Sequence, residues 1–289
     1  MKRLQHVPAT IDVEEAAAIV RRDGAVVIDN LVSPDLLDGV LTEMDPFIKA
    51  TSAGYSSPSN QKTMRTGGLM GRSESARKLI THSLVIKIIQ RVVTDTESLQ
   101  INNTEIISLQ PGAPKQALHR DQDVWPYPFP PGYEPSCSAM WPLNVDFTAE
   151  NGATRLILDS HLGGFRTKFY GSDVQQAVMT RGSVMIWSGS LYHSAMDNRS
   201  DGVRQGVMLS YSTGWLRQEE NQYLAVPREI AATLDHDTLR LMGYERPTPS
   251  LGNAVDRSHP LSVFHPDMVD PNLTNTRTRR PYPYIPEPL

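Results

Sequence analysis

The apolar positions in the first fifty residues recur mainly at helical spacing. Residues 13–23 and 34–44 each present one apolar face, and the short apolar segment 25–29 lies between them. Asp12 precedes the first segment and is a favoured helix N-cap, while Gly24 follows it and is a favoured helix end. The pattern predicts two helices around one short strand.

Over the next forty residues the helical spacing of apolar positions is first lost and then returns. Residues 51–71 are rich in Ser, Gly, Asn and Thr and show no sustained period, so they are predicted to be a loop. Because loops of this length are uncommon unless they are functional, this segment is a candidate lid. Between residues 74 and 93 the helical spacing returns and predicts one broken helix or two short ones.

Beyond residue 98 the pattern becomes one of short strands separated by Gly, Pro and Asn turns. The predicted strands cover residues 99–108, 138–147, 154–158, 182–187 and 204–211. Many short strands behind a helical first third favour a mainly β fold, a sandwich or barrel flanked by helices. We predict one domain over residues 1–289, with a helical buttress and loop at 1–98, a β core at 99–217 and a C-terminal helix and irregular tail at 218–289.

Composition narrows the class of function. The 28 Lys and Arg nearly balance the 32 Asp and Glu, so no broad basic surface for nucleic acid is expected. No segment approaches the roughly 20 apolar residues that cross a bilayer, and the N-terminal residues lack the apolar core of a signal peptide. The lone Cys137 is typical of a reducing compartment. We expect a cytoplasmic protein that binds a small molecule.

His119, Asp121 and His193 are candidate metal ligands. On extended backbone the side chains of residues i and i+2 project from the same face, so the first two can approach one cation together. Two imidazoles and one carboxylate suit non-heme Fe(II), because the opposite side of the ion stays open. Zinc is the rival metal, but a closed zinc site would need a fourth ligand, commonly cysteine, and only Cys137 is available.

Arg204 opens a predicted strand on which Gly206, Met208 and Ser210 share its face. Because glycine has no side chain, Gly206 predicts space beside the guanidinium for a bound carboxylate. The ordinary alternatives are a solvent-facing arginine and a His-x-Asp pair that arises by chance. The turn signals before the pair, and the Pro-rich and aromatic stretch 123–132 after it, favour a site at the mouth of a barrel.

Several fragments together resemble a known family. They are His119-Arg-Asp121, Asn151-Gly-Ala-Thr-Arg155 with Ser160-His161, and Trp187-Ser-Gly-Ser-Leu-Tyr-His193 leading to Arg204. From about residue 23 to residue 217 the chain resembles the phytanoyl-CoA dioxygenases, which are Fe(II)- and 2-oxoglutarate-dependent oxygenases. Fragments 65–69 and 119–126 are most similar to the branch that acts on terpenoids and alkaloids in secondary metabolism.

This resemblance implies a double-stranded β-helix, or distorted jelly roll, with catalytic iron on His119, Asp121 and His193. It implies that the co-substrate 2-oxoglutarate contacts Arg204, Thr154, Gln116 and Asn103. The implied reaction consumes O2 and hydroxylates or desaturates a small, largely apolar metabolite. Halogenation is disfavoured, because halogenating relatives replace the carboxylate that Asp121 retains.

Substrate contacts are expected from aromatic and flexible apolar side chains near this centre. The candidates are Trp125, Tyr127, Phe129, Met140 and Met70, and for each the ordinary alternative is plain packing. Two other functions stay open: a cupin-like isomerase that keeps the ligands but does not use 2-oxoglutarate, and a non-catalytic metabolite-binding protein. Relatives also suggest a homodimer, with the proline-rich tail as its contact.

Overall fold

The computed structural model describes residues 2–54, 61–94, 98–130, 132–163, 173–248 and 250–265. Its strands are β1 (His6–Pro8), β2 (Ala25–Asp29), β3 (Thr63–Gly67), β4 (Leu99–Leu109), β5 (Ser136–Pro142), β6 (Thr154–Ile157), β7 (Val174–Gln176), β8 (Val184–Ser188), β9 (His193–Ala195) and β10 (Arg204–Thr213). Its helices are α1 (Val13–Asp23), α2 (Pro34–Ala50), α3 (Leu69–Arg72), α4 (Glu74–Ile80), α5 (Ser83–Val92), α6 (Gln222–Ala225), α7 (Arg228–Ala231) and α8 (His236–Leu241).

The strands form two sheets. The larger has the order β1-β2-β8-β5-β10-β4-β3, and the smaller has the order β7-β6-β9. All neighbouring pairs are antiparallel except β1 and β2. Strand β10 pairs along most of its length with both β4 and β5, and its register with β4 shifts between Ser210 and Tyr211. The predicted mainly β architecture with flanking helices is confirmed.

Helices from the first third cover one face of the larger sheet. On this side Val207, Leu209 and Tyr211 of β10 are fully buried in a cluster shared with helix residues such as Leu79 and Ile88. Each of these side chains leaves water on folding, which contributes about 1.5–3 kcal/mol for a large apolar group. This face is the main hydrophobic core.

The capping pattern of the first helix follows the sequence. Asp12 accepts hydrogen bonds from the backbone N–H groups of Glu14 and Glu15 at 2.8 and 3.3 Å. Gly24 ends the helix at φ 92°, and a Cβ added there would lie 2.3 Å from Leu191 Cδ1. Glycine is therefore required at this helix end both for its backbone conformation and for close packing.

The opposite face of the larger sheet packs against the smaller sheet. The side chains in this second cluster include Met140, Phe147, Leu156, Trp187 and Met208. Successive residues of β10 thus alternate between the two clusters, as expected for a strand buried on both faces. The layer between the two sheets contains the candidate site.

The prediction of a loop at 51–71 is wrong for its second half. Residues Thr63–Gly67 form β3, which pairs with β4, and Leu69–Arg72 form α3. The segment carries few apolar residues, so only a partner about forty positions further along the chain makes it a strand. Part of the predicted lid, residues 55–60, lies outside the described residues.

Three further elements were not predicted, namely the short strands β1, β7 and β9. The predicted C-terminal helix is divided into α6, α7 and α8. The irregular tail from residue 266 onward lies outside the described residues, and the single-domain division stays a prediction. Among the helices that the structure describes, none combines the length and the apolar character needed to cross a membrane.

Candidate metal centre

The two histidines of the candidate triad are held opposite each other by their own backbones. His119 N–H donates to His193 O at 3.0 Å, and His193 N–H donates to His119 O at the same distance. This antiparallel bridge, together with a hydrogen bond from Gln116 N–H to Ala195 O at 3.1 Å, joins the segment that carries His119 to β9. The imidazole ring centroids are 4.7 Å apart.

The orientation of each imidazole is fixed by a second hydrogen bond. His119 Nδ1 lies 3.1 Å from Ala117 O, and His193 Nδ1 lies 3.0 Å from Leu191 O. A carbonyl oxygen can only accept, so each Nδ1 carries a proton and donates it. In each neutral ring Nε2 then carries a free lone pair. This tautomer, with the proton on Nδ1, is the one that can bind a metal through Nε2.

Asp121 completes the cluster. Its Oδ2 accepts hydrogen bonds from Ser138 Oγ at 2.7 Å and from Trp187 Nε1 at 3.1 Å. Its Oδ1 lies 3.4 Å from His193 Nε2. One ligand atom from each of His119, Asp121 and His193 can be chosen so that all lie within 4.8 Å of one another. A single cation can therefore contact the three side chains.

The pKa values reflect how closely these groups interact. Burial would raise the pKa of the Asp121 carboxyl, but the charge of His193 and hydrogen bonds from His193 and Ser138 lower it to about 2. Burial lowers the pKa of His193, yet Asp121 outweighs this and raises it overall. Burial, followed by the charge of His193, lowers the pKa of His119. The carboxylate is thus ionised at neutral pH and attracts positive charge.

A cavity of about 290 Å³ adjoins the triad. Arg204 lies in its wall with only 1% of its surface exposed. The guanidinium stacks on Phe147, with Cζ 3.4 Å from the ring centroid, and Nη2 lies 3.4 Å from Thr154 Oγ1. Within the described part of the chain, Arg204 Nε has no hydrogen-bond partner and the guanidinium has no carboxylate partner. Burial lowers the pKa of Arg204 to about 9.

The predicted space beside Gly206 is filled by protein. A Cβ added at Gly206 would lie 2.7 Å from both Met140 Sδ and Phe147 Cζ. The prediction of a carboxylate next to this glycine is therefore wrong, because Phe147 from another segment packs there. The open volume beside Arg204 belongs to the cavity instead.

The remaining predicted contacts divide into two groups. Thr154, Gln116, Asn103 and Met140 line the cavity together with Arg204 and the triad. Met70 does not, because α3 places it, fully buried, in the core on the helix side of the sheet. The prediction that Met70 contacts the substrate is therefore wrong.

The three aromatic candidates, Trp125, Tyr127 and Phe129, are not part of the cavity lining. Trp125 donates its indole N–H to Arg217 O at 3.0 Å, and Phe129 stacks on Tyr133 with ring centroids 5.6 Å apart. Tyr127 is 80% exposed. Trp125 thus joins the segment after Asp121 to the segment after β10, and Phe129 packs within its own segment. The residue of this stretch that lines the cavity is Val124.

Several residues that support the centre were not predicted. Ser138 and Trp187 hold Asp121, and Arg155 donates to Ser194 Oγ at 2.7 Å and to Gln116 O at 2.5 Å. The cavity wall also contains a group of charged side chains, namely Arg65, Glu105, Arg120 and Glu219. Because alternate residues of a strand share one face, the pattern along β4 and β5 could have indicated that Glu105 and Ser138 face the site. The other residues depend on tertiary contacts.

A β-sandwich that brings two histidines and one aspartate together at a cavity is typical of metal-dependent oxygenases. The family model of the phytanoyl-CoA dioxygenases matches residues 20–206 of the chain. The chain belongs to the phytanoyl-CoA dioxygenase family. The family and the dioxygenase class that the sequence predicted are confirmed.

Individual relatives agree with this assignment. The dioxygenase trt7 of Aspergillus terreus is 30% identical over 251 residues, which cover 83% of this chain and 87% of that protein. The multifunctional dioxygenase ausE of Emericella nidulans is 30% identical over 263 residues, which cover 85% and 88%. Among solved structures, the epimerase SnoN in complex with Fe3+, alpha ketoglutarate and nogalamycin RO has a TM-score of 0.58 at 18% identity, covering 69% of this chain and 83% of that one. This likeness shows a shared fold, and the jelly-roll prediction is confirmed.

Proposed function

We propose that this protein is an Fe(II)- and 2-oxoglutarate-dependent oxygenase that oxidises a small metabolite in secondary metabolism. The observation that carries the proposal is that one cavity contains both the His-Asp-His cluster and a buried arginine without a carboxylate partner among the described residues. The names of the curated relatives, which are dioxygenases of fungi, support the same activity.

His119, Asp121 and His193 would hold the iron. The donor set fits a divalent metal, because both imidazoles direct Nε2 away from their carbonyl partners and Asp121 keeps Oδ1 free of Ser138 and Trp187. Three protein ligands leave coordination positions open, as oxygen chemistry requires. The nearby Cys137 is fully buried and is not part of the cluster, so a closed zinc site is not favoured.

Arg204 would bind the far carboxylate of 2-oxoglutarate. A buried guanidinium without a carboxylate partner carries a large desolvation cost, and a dianionic ligand would offset it. The planar guanidinium can donate two parallel hydrogen bonds to one carboxylate, and the hydroxyl of Thr154 lies beside it. Stacking on Phe147 holds the plane of the guanidinium in place.

When bound, iron and 2-oxoglutarate supply the capacity to oxidise an unactivated C–H bond with O2. The chain itself supplies position and shielding. Apolar residues of the cavity lining reduce the access of water to the centre, and they include Ile107, Met140, Trp187 and Met208. The bulk of the substrate therefore faces apolar walls close to the triad. Hydroxylation and desaturation are both compatible with this arrangement.

The experiment compares Arg204→Met with the native protein loaded with Mn(II) in place of iron. Isothermal titration should show that both bind Mn(II) alike, while 2-oxoglutarate binds the variant about 100-fold more weakly, since removing one partner of a buried charge pair costs about 2–5 kcal/mol. The Fe(II)-loaded native protein should convert 2-oxoglutarate to succinate under O2. Equal 2-oxoglutarate affinity in the two proteins would select the isomerase alternative. Metabolite binding without succinate formation would select the binding protein.

We further propose that the protein acts in the cytoplasm on a small molecule and not on nucleic acid. The near balance of 28 basic and 32 acidic residues and the single cysteine support this proposal. A homodimer stays a prediction, and light scattering of the full chain and of a chain ending at residue 265 would test whether the tail contributes to pairing.

A further inference from the structure

Glu219 differs from the other charged side chains of the cavity wall. Glu105 is ion-paired with Arg65, and Arg120 is paired with Asp123. Glu219 also lines the cavity, but no hydrogen bond or ion pair engages its carboxylate in the part of the chain that the structure describes. The missing partner of the Glu219 carboxylate is not explained by a poorly anchored backbone.

The backbone around Glu219 is firmly held. Its N–H donates to Asn102 Oδ1 at 2.9 Å, and the next N–H, that of Glu220, donates to Asn102 O at 2.9 Å. Asn102 is itself only 2% exposed on β4. Gln218 is anchored too, because its side chain donates to Ile101 O at 2.8 Å. Glu219 is itself exposed to solvent, and its carboxylate is presented to the cavity from a backbone that hydrogen bonds hold in place.

The neighbouring glutamate provides an internal comparison. Glu220 accepts hydrogen bonds from Gly68 N–H, from Thr104 Oγ1 and from Gln222 Nε2 at 2.5, 2.5 and 2.7 Å. Its carboxylate is fully used in joining segments of the protein. Two adjacent glutamates with the same backbone support thus have different roles: one is structural and the other faces the cavity.

The charges of the filled cavity lead to a substrate class. Fe(II) with Asp121, and dianionic 2-oxoglutarate with Arg204, cancel as a set, and the pairs Arg65–Glu105 and Arg120–Asp123 are neutral. Arg65 also attracts the Glu219 carboxylate, so the group of Arg65, Glu105 and Glu219 keeps one net negative charge at the solvent-exposed side of the lining. A net negative charge at the entrance of a partly apolar cavity favours a positively charged ligand group there. The same cavity is independently marked as a ligand site by the buried Arg204, whose Nε has no hydrogen-bond partner among the described residues.

We propose that the substrate carries a protonated amine that binds the Glu219 carboxylate while its apolar part extends toward the metal centre. This inference rests on the proposed function, because the charge balance assumes that iron and 2-oxoglutarate are bound. It replaces the expectation of a largely apolar substrate with that of an amphiphilic, basic one. Glu219 is thus a specificity-determining residue rather than a metal or co-substrate contact.

The test uses two probes of equal shape and different charge, cyclohexylammonium and cyclohexanol. The protein is loaded with Mn(II) and 2-oxoglutarate, and the paramagnetic relaxation of the probe protons reports binding near the triad. Cyclohexylammonium should bind about tenfold more tightly than cyclohexanol. Glu219→Gln should remove this preference and leave cyclohexanol binding unchanged. Glu229→Gln, which removes an exposed carboxylate on α7, should behave like the native protein.

Mn(II) and 2-oxoglutarate affinities are measured first in all three proteins. If they do not bind the native protein, the proposed function fails. If they bind all three proteins alike but the two probes show equal affinity, or neither binds, the amine proposal is overturned while the oxygenase proposal stands. Retention of the amine preference in Glu219→Gln overturns it as well.

Discussion

The two faces of the larger sheet are built from the same strands but carry different chemistry. On β10, Val207 and Leu209 point to the helices and are completely buried among apolar side chains. Arg204 and Met208, which alternate with them, line the cavity beside the metal ligands. The helix side is filled mainly by apolar side chains that pack against one another. The cavity side contains groups that are costly to bury and that need partners.

This difference separates stability from function. Filling the helix side with apolar groups supplies much of the folding free energy, because burial of apolar surface is the dominant favourable contribution. The cavity side retains a guanidinium without a protein carboxylate partner in the described chain, which lowers stability unless a ligand binds. Substitutions on the two faces should therefore affect different measurements.

The largest effect is expected on the cavity side, for Asp121→Ala. The change removes one of three ligands, so Mn(II) binding and 2-oxoglutarate turnover should both fall to background. Asp123→Ala, two residues further along and partly exposed, should retain both. Metal titration followed by succinate detection makes the comparison. Turnover that survives in Asp121→Ala would contradict the assignment of the triad.

On the helix side, Leu209→Ala should lower the free energy of unfolding by about 2–5 kcal/mol, because it leaves a cavity in a fully packed core. Its affinity for Mn(II) should not change. Met208→Ala, the next residue on the opposite face, should cost less stability because its side chain already borders open volume. Urea unfolding of both variants tests the contrast, and equal losses would show that the two faces are not energetically distinct.

A smaller effect is expected for Ser138→Ala. Loss of the 2.7 Å hydrogen bond to Asp121 should weaken Mn(II) binding by about 10–100-fold, since a ligand without its outer hydrogen bond is less well oriented. Ser136→Ala on the same strand is the matched control, because the Ser136 hydroxyl has no hydrogen-bond partner among the described residues. A similar affinity in the two variants would show that Ser138 does not orient Asp121.

The smallest effect concerns pH. Because Asp121 raises the pKa of His193, the metal-free protein keeps His193 protonated to a higher pH than usual, and a metal must displace that proton. Mn(II) affinity should therefore fall as the pH is lowered through this raised pKa. The stability of the metal-free protein should depend on pH in the opposite direction. The stability gained from protonated His193 is fully present below the pKa of this histidine in the unfolded chain, and it is lost as the pH rises through its pKa in the folded protein. Metal titration and urea unfolding at several pH values check both signs.

Local signals in the chain were sufficient for α1, α2, α4 and α5, for the longer strands and for placing His119 and Asp121 near each other. Asp12 and Gly24 bound the first helix through local hydrogen bonding and backbone conformation, both of which are written in a few adjacent residues. The spacing of His119 and Asp121 is also a local signal, because it determines whether the two side chains share one face. Arg120 between them is extended, with φ −119° and ψ 139°, so the two side chains do share one face.

Tertiary structure alone decided the content of the cavity. Strand β3 exists because β4 lies beside it, and Met70 points into the core because α3 follows that strand. The guanidinium of Arg204 rests on Phe147, which belongs to another segment and fills the space that Gly206 had suggested was open. Sequence alone fixes which residue types can bind a metal or form a helix, because these properties are local. Which charges remain unpaired depends on contacts between distant segments, and Glu219 faces the cavity only because Asn102 holds its backbone there.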